Sequence, residues 1–377
     1  MNICYYITDY GYGHAARSVA LIRELLMRLS AAELQLTICS ERVLPFLVAS
    51  LAGAGQRGSG NIHYRRVKLD VGYVLKPGTV EIDPSAMKAA YGKYIESFSV
   101  LVQQERDFLL QGKFDWVISD ISAIPFAAAS AARIPSIGIS NFTWYTACRD
   151  VLNEKELQPL YEAYRNMDYF ISLPGAADEP DWGRQARLEA GFYSRPADHR
   201  TVLELRQQLD PYGGSLIVYF AIGMGMDVQG LETLRWMEDN RCLFIVSSNM
   251  PVEGKRIIRI PREMTESQLY LAASDLVISK PGWGTASEAV QYGKPMLLIE
   301  RGAMPEDRNT IDVLRKLLPV RLLRWEELAD LNDLPAWLEE QGLSVRPGAG
   351  MKGNSGEEGV KALTDCVLNL LSVPGAE

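Results

Sequence analysis

Short apolar runs with the composition of strands alternate with helix-period segments along this chain, and the alternation begins twice. The first series opens with a strand at 2–8 (NICYYIT) and a helix at 15–29 that puts Val19, Ile22, Leu26 and Leu29 on one face. It continues with a strand at 34–39, a long helix at 87–110, a strand at 115–119 and an Ala-rich helix at 123–132. Strands at 135–139 and 169–173 close it. Residues 174–213 break the pattern: they are rich in Pro and Gly, with one short helix at 200–209. The second series has strands at 215–223, 242–248, 257–261, 275–279, 295–300 and 320–323. Its helices are expected at 229–240, 265–273, 285–292, 309–318 and 326–340. Residues 342–356 read as a loop. A last amphipathic helix at 357–371 puts Val360, Leu363, Val367, Leu370 and Leu371 on its apolar side.

Strands this short and this apolar, each followed by a helix, imply an α/β chain whose parallel sheets are covered on both faces. At ~150 residues per domain, 377 residues allow two or three domains. Two beginnings make it two doubly wound domains in tandem: 1–195, a linker at 196–213, and 214–356, with 357–377 as a final helix. Ligands of such sheets bind at the carboxyl ends of the strands, so the cleft between the domains is the expected site. No repeat of 20–50 residues suggests a solenoid or propeller.

Composition narrows the partners. Lys and Arg number 39 against 47 Asp and Glu, and the net charge of −8 disfavours nucleic acid. No apolar run reaches the ~18 residues of a membrane helix; the longest candidate, 121–139, is broken by Pro125, Arg133 and Pro135. The N-terminus has no basic region ahead of its apolar one, as a secretory signal would. The five cysteines, Cys4, Cys39, Cys148, Cys242 and Cys366, form no CxxC pair and no zinc-ligand cluster. Buried reduced thiols in a cytoplasmic protein are expected.

Two clusters carry chemistry. The first, T-D-Y-G-Y-G-H-A-A-R, runs from the end of the first strand into the first helix and contains Asp9, Gly11, Gly13, His14 and Arg17. Its glycines suit a tight turn near a ligand, and the helix start offers amides to an anion or hydroxyl. Ala16 occupies the third glycine position of a dinucleotide fingerprint, which weakens a dehydrogenase reading. His14 is one of only three histidines. At a strand-to-helix edge it can accept a proton from a hydroxyl nucleophile, or merely pack or cap the helix. Asp120 ends the buried strand DWVIS-D. It either orients the His14 imidazole, if the first and fourth strands are neighbours, or caps helix 123–132.

The second cluster is K-P-G-W-G-T-A-S-E at 280–288. Lys280, Gly282, Gly284, Thr285 and Ser287 around a helix start make a phosphate cradle, and Glu288 one turn later can accept two hydrogen bonds from a ribose diol. The loop after strand 295–300 brings Glu306, Asp307 and Arg308 toward sugar hydroxyls. A third glycine turn with Gly223 and Gly225 either contacts a diphosphate or is a structural turn.

These residues together resemble the GT-B glycosyltransferases that use nucleotide sugars, a group that includes the UDP-glycosyltransferases and MurG-like enzymes. The opening motif is similar to that of L-arabinokinase-like proteins and predicted bacterial glycosyltransferases. The resemblance covers nearly the whole chain. The family's donor motif, His-Cys-Gly-Trp-Asn-Ser-x-x-Glu, falls on 280–288 without a gap. Lys280 takes the place of the phosphate-contacting histidine, Trp283 that of the motif tryptophan, Thr285 that of the phosphate-binding hydroxyl, and Glu288 that of the ribose-binding glutamate. The family's sugar-holding Asp-Gln pair falls on Asp307 and Arg308; an Arg there suits a charged or differently shaped donor. The catalytic histidine maps to His14 and its partner aspartate to Asp120. The base would lie near 262–264.

The fold implied is two Rossmann-like domains facing across a cleft, with the last helix crossing back to the first domain. The function implied is inverting transfer of a sugar from a nucleotide diphosphate, a UDP-sugar being the expected donor. His14 would be the base and Asp120 its support. The helix start and Lys280 would meet the leaving charge, so no metal and no further cofactor is required. Gly11, Gly13 and Arg17 would border the acceptor, a small molecule, glycan or lipid-linked hydroxyl. Aromatic residues Tyr73, Tyr91, Tyr94, Phe142, Trp144 and Tyr145 in loops 70–95 and 141–160 either stack on that acceptor or pack internally. An epimerase or hydrolase on the same architecture is one alternative, and a non-catalytic nucleotide-sugar-binding protein another.

Overall fold

The computed structural model describes residues 1–52, 61–222, 231, 234–302, 304–348 and 356–372. The first sheet has seven parallel strands: β1 (Asn2–Ile7), β2 (Gln35–Ser40), β3 (Ile62–Arg66), β4 (Trp116–Asp120), β5 (Ser136–Ser140), β6 (Tyr169–Ser172) and β7 (Ala186–Glu189). Their order is β3-β2-β1-β4-β5-β6-β7. The second has six, β8 (Leu216–Ala221), β9 (Cys242–Val246), β10 (Ile257–Arg259), β11 (Leu276–Ser279), β12 (Met296–Ile299) and β13 (Val320–Leu323), ordered β10-β9-β8-β11-β12-β13. In each sheet the chain reverses direction of travel beside its first strand, and there a crevice opens at the carboxyl ends. β1 and β4 are neighbours, with Ile7 opposite Asp120.

Thirteen described helices cover the sheets: α1 (Tyr12–Arg28), α2 (Leu44–Leu51), α3 (Pro84–Gly112), α4 (Ile124–Ala132), α5 (Trp144–Ala147), α6 (Glu154–Arg165), α7 (His199–Leu209), α8 (Ser267–Ala273), α9 (Trp283–Gln291), α10 (Pro305–Leu317), α11 (Trp325–Ala329), α12 (Leu334–Glu340) and α13 (Glu357–Leu371). Their starts follow local chemistry. Asp83 caps α3 through the Ala86 amide at 2.9 Å, ahead of Pro84. Asn153 and Glu156 form a reciprocal capping box on α6.

Four of the segments given a sequence expectation are built differently, and α2, β3 and α6 had none. The helix expected at 326–340 is two, because Asp333 caps a fresh start and Pro335 cannot continue the previous helix. Of the helix expected at 229–240, the described part is one 3-10 turn, Arg235–Glu238. Glu306, Asp307 and Arg308 lie in the first turn of α10, not in a loop. The Pro/Gly-rich stretch 174–213 is more ordered than its composition suggests. β7 joins the first sheet, and α7 sits on α8, where Arg206 bonds the Ala273 carbonyl at 2.7 Å and Asp275 at 2.9 Å.

One apolar core runs through the facing layers of both halves, uniting Val19 and Leu25 of α1, Trp283 and Ala286 of α9, and Leu363 and Val367 of α13. Two others cover the outer faces of the sheets. α13 packs back on α1, and Arg28 pairs with Asp365 across that contact. The cysteines are free; Cys366 is half-buried and the others buried, with Cys4 and Cys39 Sγ atoms 3.6 Å apart. No described helix is long and apolar enough to cross a membrane.

Candidate functional site

Two helix starts without side-chain caps meet at the seam of the halves: α1 after Gly11 and α9 after Gly282. They border a cleft of about 1310 Å³. Uncapped first-turn amides give this cleft two sites of partial positive charge. None of these glycines is required by its backbone angle, and one of them is required by closeness. Gly11 (φ −171°) and Gly282 (φ −72°) have backbones that any residue adopts. At Gly284, however, a Cβ would lie 2.7 Å from the Gly13 Cα and 3.1 Å from the Gly13 carbonyl oxygen. Only glycine permits this approach.

On the first-domain side, His14 Nδ1 lies 3.1 Å from Asp120 Oδ1. Asp120 does not cap α4, whose start has no side-chain cap. Its other partners are Arg17, which donates from Nε to Oδ2 at 2.7 Å and from Nη2 to Oδ1 at 2.6 Å, and the Ser18 hydroxyl at 3.3 Å. Arg17 Nη1 bonds Asn141 at 2.8 Å. Burial would raise the Asp120 pKa, but the Arg17 charge and then His14 outweigh it and hold the carboxyl at about 2. Burial, reinforced by the Arg17 cation, lowers the His14 pKa despite Asp120. The imidazole is therefore neutral near pH 7. With Nδ1 committed to Asp120, Nε2 is the nitrogen left for a substrate. Ile121, next to Asp120, has φ +74°, a strained conformation for a β-branched residue. It turns the chain away just after the carboxylate is placed.

Arg17 is thus a buried clamp on Asp120 rather than an acceptor-loop residue, although it borders the cleft. Asp9 accepts hydrogen bonds from the Ser40 hydroxyl and the Glu41 and Arg42 amides, and so fixes the turn after β2.

On the second-domain side, Lys280, Gly282, Trp283, Gly284, Thr285, Glu288 and Glu306 all line the cleft, as do Arg262, Glu263 and Met264 of the expected base loop. Burial, with Arg301 next in effect, lowers the Lys280 pKa to about 8. Glu288 Oε1 accepts from Arg195 Nη2 at 3.0 Å. The Trp283 ring is spent on joining the halves: Nε1 donates to the Pro174 carbonyl at 2.9 Å, and the Arg17 guanidinium lies 4.9 Å from the ring centroid. Ser287 donates to the Tyr193 carbonyl at 2.5 Å instead of facing the cleft.

Two expected sugar contacts are placed otherwise. Asp307 is buried and clamped by Arg301, and it does not border the cleft. The Arg308 side chain is 69% exposed, 3.6 Å from Asp178 and away from the cleft lining, because α10 starts at Pro305 and turns that position outward. Gly223 and Gly225 lie outside the described residues. Sequence reasoning missed Arg301 and Arg195, the buried partners of these acids; neither lies in a recognisable motif.

Of the expected acceptor aromatics, Tyr73 and Phe142 line the cleft, joined by Tyr10, whose ring centroid is 5.2 Å from that of Tyr73 and 6.3 Å from that of His14. Trp144 packs behind them, Tyr91 and Tyr94 belong to the core under α3, and Tyr145 packs on Tyr161 and Trp182. Among the described residues, no group of three or more His, Cys, Asp or Glu has the arrangement of a metal site.

No protein-family model matches the chain. It is 24% identical over 321 residues to L-arabinokinase of Arabidopsis thaliana, a match covering 82% of this chain and 29% of that protein. The chain thus spans less than a third of that relative's length. Among solved structures, the glycosyltransferase SnogD from Streptomyces nogalater superposes with a TM-score of 0.60 at 15% identity, covering 99% of each chain. UGT2 of Phytolacca americana, complexed with UDP-2fluoro-glucose and pterostilbene, gives 0.60 at 12% identity over 99% of this chain and 96% of its own. Spinosyn rhamnosyltransferase SpnG, complexed with thymidine diphosphate, gives 0.59 at 14% identity over 98% and 100%. The fold shared with these proteins is GT-B, with two parallel sheets facing across a cleft.

Proposed function

We propose that the chain is an inverting, metal-independent glycosyltransferase that moves a sugar from a nucleotide diphosphate, a UDP-sugar in first place, to an acceptor hydroxyl. The observation that carries this reading is the neutral His14, bonded through Nδ1 to Asp120 and facing the uncapped start of α9 across the cleft. His14 Nε2 takes the acceptor proton as the acceptor oxygen attacks the anomeric carbon. The bond from that carbon to the β-phosphate oxygen breaks with inversion, and the imidazolium is held by Asp120. The leaving diphosphate carries its charge to the α9 amides, Thr285 and Lys280. Glu288, steadied by Arg195, takes the ribose. The fold shared with nucleotide-sugar enzymes supports this assignment, as do the L-arabinokinase match and the 280–288 motif.

The test is His14→Ala, assayed for transfer from a panel of UDP- and dTDP-sugars. Transfer should fall ~10²–10⁴-fold while donor affinity stays nearly constant. Unchanged turnover removes the base from this scheme. Donor breakdown at full rate with no acceptor present would point to a hydrolase.

A further inference from the structure

A nucleobase is flat, and its faces are best met by another flat group. Where the base is expected, the second half offers none. Its described cleft residues between Ser247 and Ser267 are aliphatic, polar or charged. The two rings that it does bring to the cleft are taken: Trp283 joins the halves, and Tyr219 of β8 belongs to the core. In the first half, Tyr10, Tyr73 and Phe142 gather around His14. Tyr12 and Phe46 remain. Both line the cleft half-buried, with ring centroids 5.7 Å apart and planes at 87°. Such an edge-to-face contact covers at most one face of the Phe46 ring.

Phe46 also stands at the right distance along the cleft. Beyond the α9 start comes Glu288, which would hold the ribose and is bonded by Arg195 at 3.0 Å. The Arg195 guanidinium carbon lies 5.9 Å from the centroid of the Phe46 ring. The ring is thus one side chain past the ribose, where C1′ carries the base. α2 is pinned in that place. Arg23 of α1 donates to the Ser50 carbonyl in α2 at 2.7 Å and to both Glu266 carboxylate oxygens, at 3.0 and 2.6 Å. Through Arg23, α2 stays beside the segment that brings Pro261 and Met264 into the cleft.

We propose that Phe46, a first-domain residue, is the ring on which the donor's nucleobase stacks; this rests on the donor reading above. The nucleotide is then held by both halves, its phosphates and ribose by the second and its base by the first. The test is calorimetric titration of the full chain with UDP and with 5,6-dihydro-UDP, whose saturated base is no longer flat. UDP should bind about tenfold tighter. Phe46→Leu should abolish the difference, with an unchanged affinity for 5,6-dihydro-UDP reporting that the variant is folded. Phe46→Tyr, which keeps a ring, should preserve it. If dTDP binds in place of UDP, dTDP and its 5,6-dihydro form are compared instead. Equal affinity of the unmodified chain for the flat and saturated bases, or a difference that survives Phe46→Leu, overturns the assignment to Phe46 and leaves the donor reading standing. If neither UDP nor dTDP binds, the donor reading itself falls, and this inference falls with it.

Discussion

At the scale of residues, the site turns on how one carboxylate is shared. Asp120 serves both a buried guanidinium and an imidazole, and burial, with the Arg17 cation next in effect, lowers the His14 pKa against the pull of Asp120. Arg17→Met should let the His14 pKa climb from its lowered position, because a nearby cation is gone and the Asp120 charge then acts on the imidazole alone. The acid limb of kcat/KM should move to higher pH, and NMR titration of His14 should follow it. Asp120→Asn strands Arg17 in the interior and should cost about 3–5 kcal/mol. Because the native carboxyl titrates at about 2 and the free one near 3.8, this group stabilises fully above pH 4. That stabilisation is lost as pH falls from about 4 to 2, and acid unfolding of Asp120→Asn should lack that portion. His14 and Asp120 were legible because one opens the helix after β1 and the other ends β4, both at the carboxyl edge of the sheet. The position of Arg17, three residues after His14 on the same helix face, was legible, but its role was not, since the sequence set it beside the acceptor. Only the structure shows that the face points at Asp120.

At the scale of elements, the glycines of α1 and α9 are not equivalent. Gly284→Ala sets a Cβ against backbone on the opposite helix, which has no side chain to move aside. Donor affinity and thermal stability should both fall sharply. Gly13→Ala meets its nearest atom at 3.6 Å and should leave the melting point almost unchanged. If the two variants behave alike, the seam is looser than the structure describes. Elements with a strong pattern were legible: β13 and α13 occupy their expected spans. The missed ones have physical reasons. α2 (LPFLVASL) is apolar all round and shows no period. β3 (IHYRR) is an edge strand, largely solvent-facing, without an apolar run. α6 contains Pro159 and is overlooked unless its capping box is read. α10 begins at Pro305, four residues ahead of the expected helix, so Asp307 and Arg308 do not share one surface. As neighbours in the helix they point about 100° apart, one inward on Arg301 and one toward solvent.

At the scale of the whole molecule, the chain passes between its halves twice, through residues 192–195 and again through the start of α13. The first passage is stitched to α9: Ser287 and Gln291 donate to the carbonyls of Tyr193 and Phe192, and Tyr292 to that of Arg195. The second lies directly on the first, since a Cβ at Gly359 would come within 2.4 Å of the Phe192 carbonyl oxygen. Gly359→Ala should therefore lower stability by ~1–3 kcal/mol, read from the denaturant midpoint, without touching any cleft residue. The resemblance implied that the last helix crosses back, but not that the two passages lie against each other, because contacts between segments far apart in the chain carry no local period. Two passages lying side by side act as the spine of a book. Pages bound along one spine swing about a single line and cannot slide past each other. A substrate that enters must then part the covers at the fore-edge, and His14 and the start of α9 should separate and rejoin along one arc.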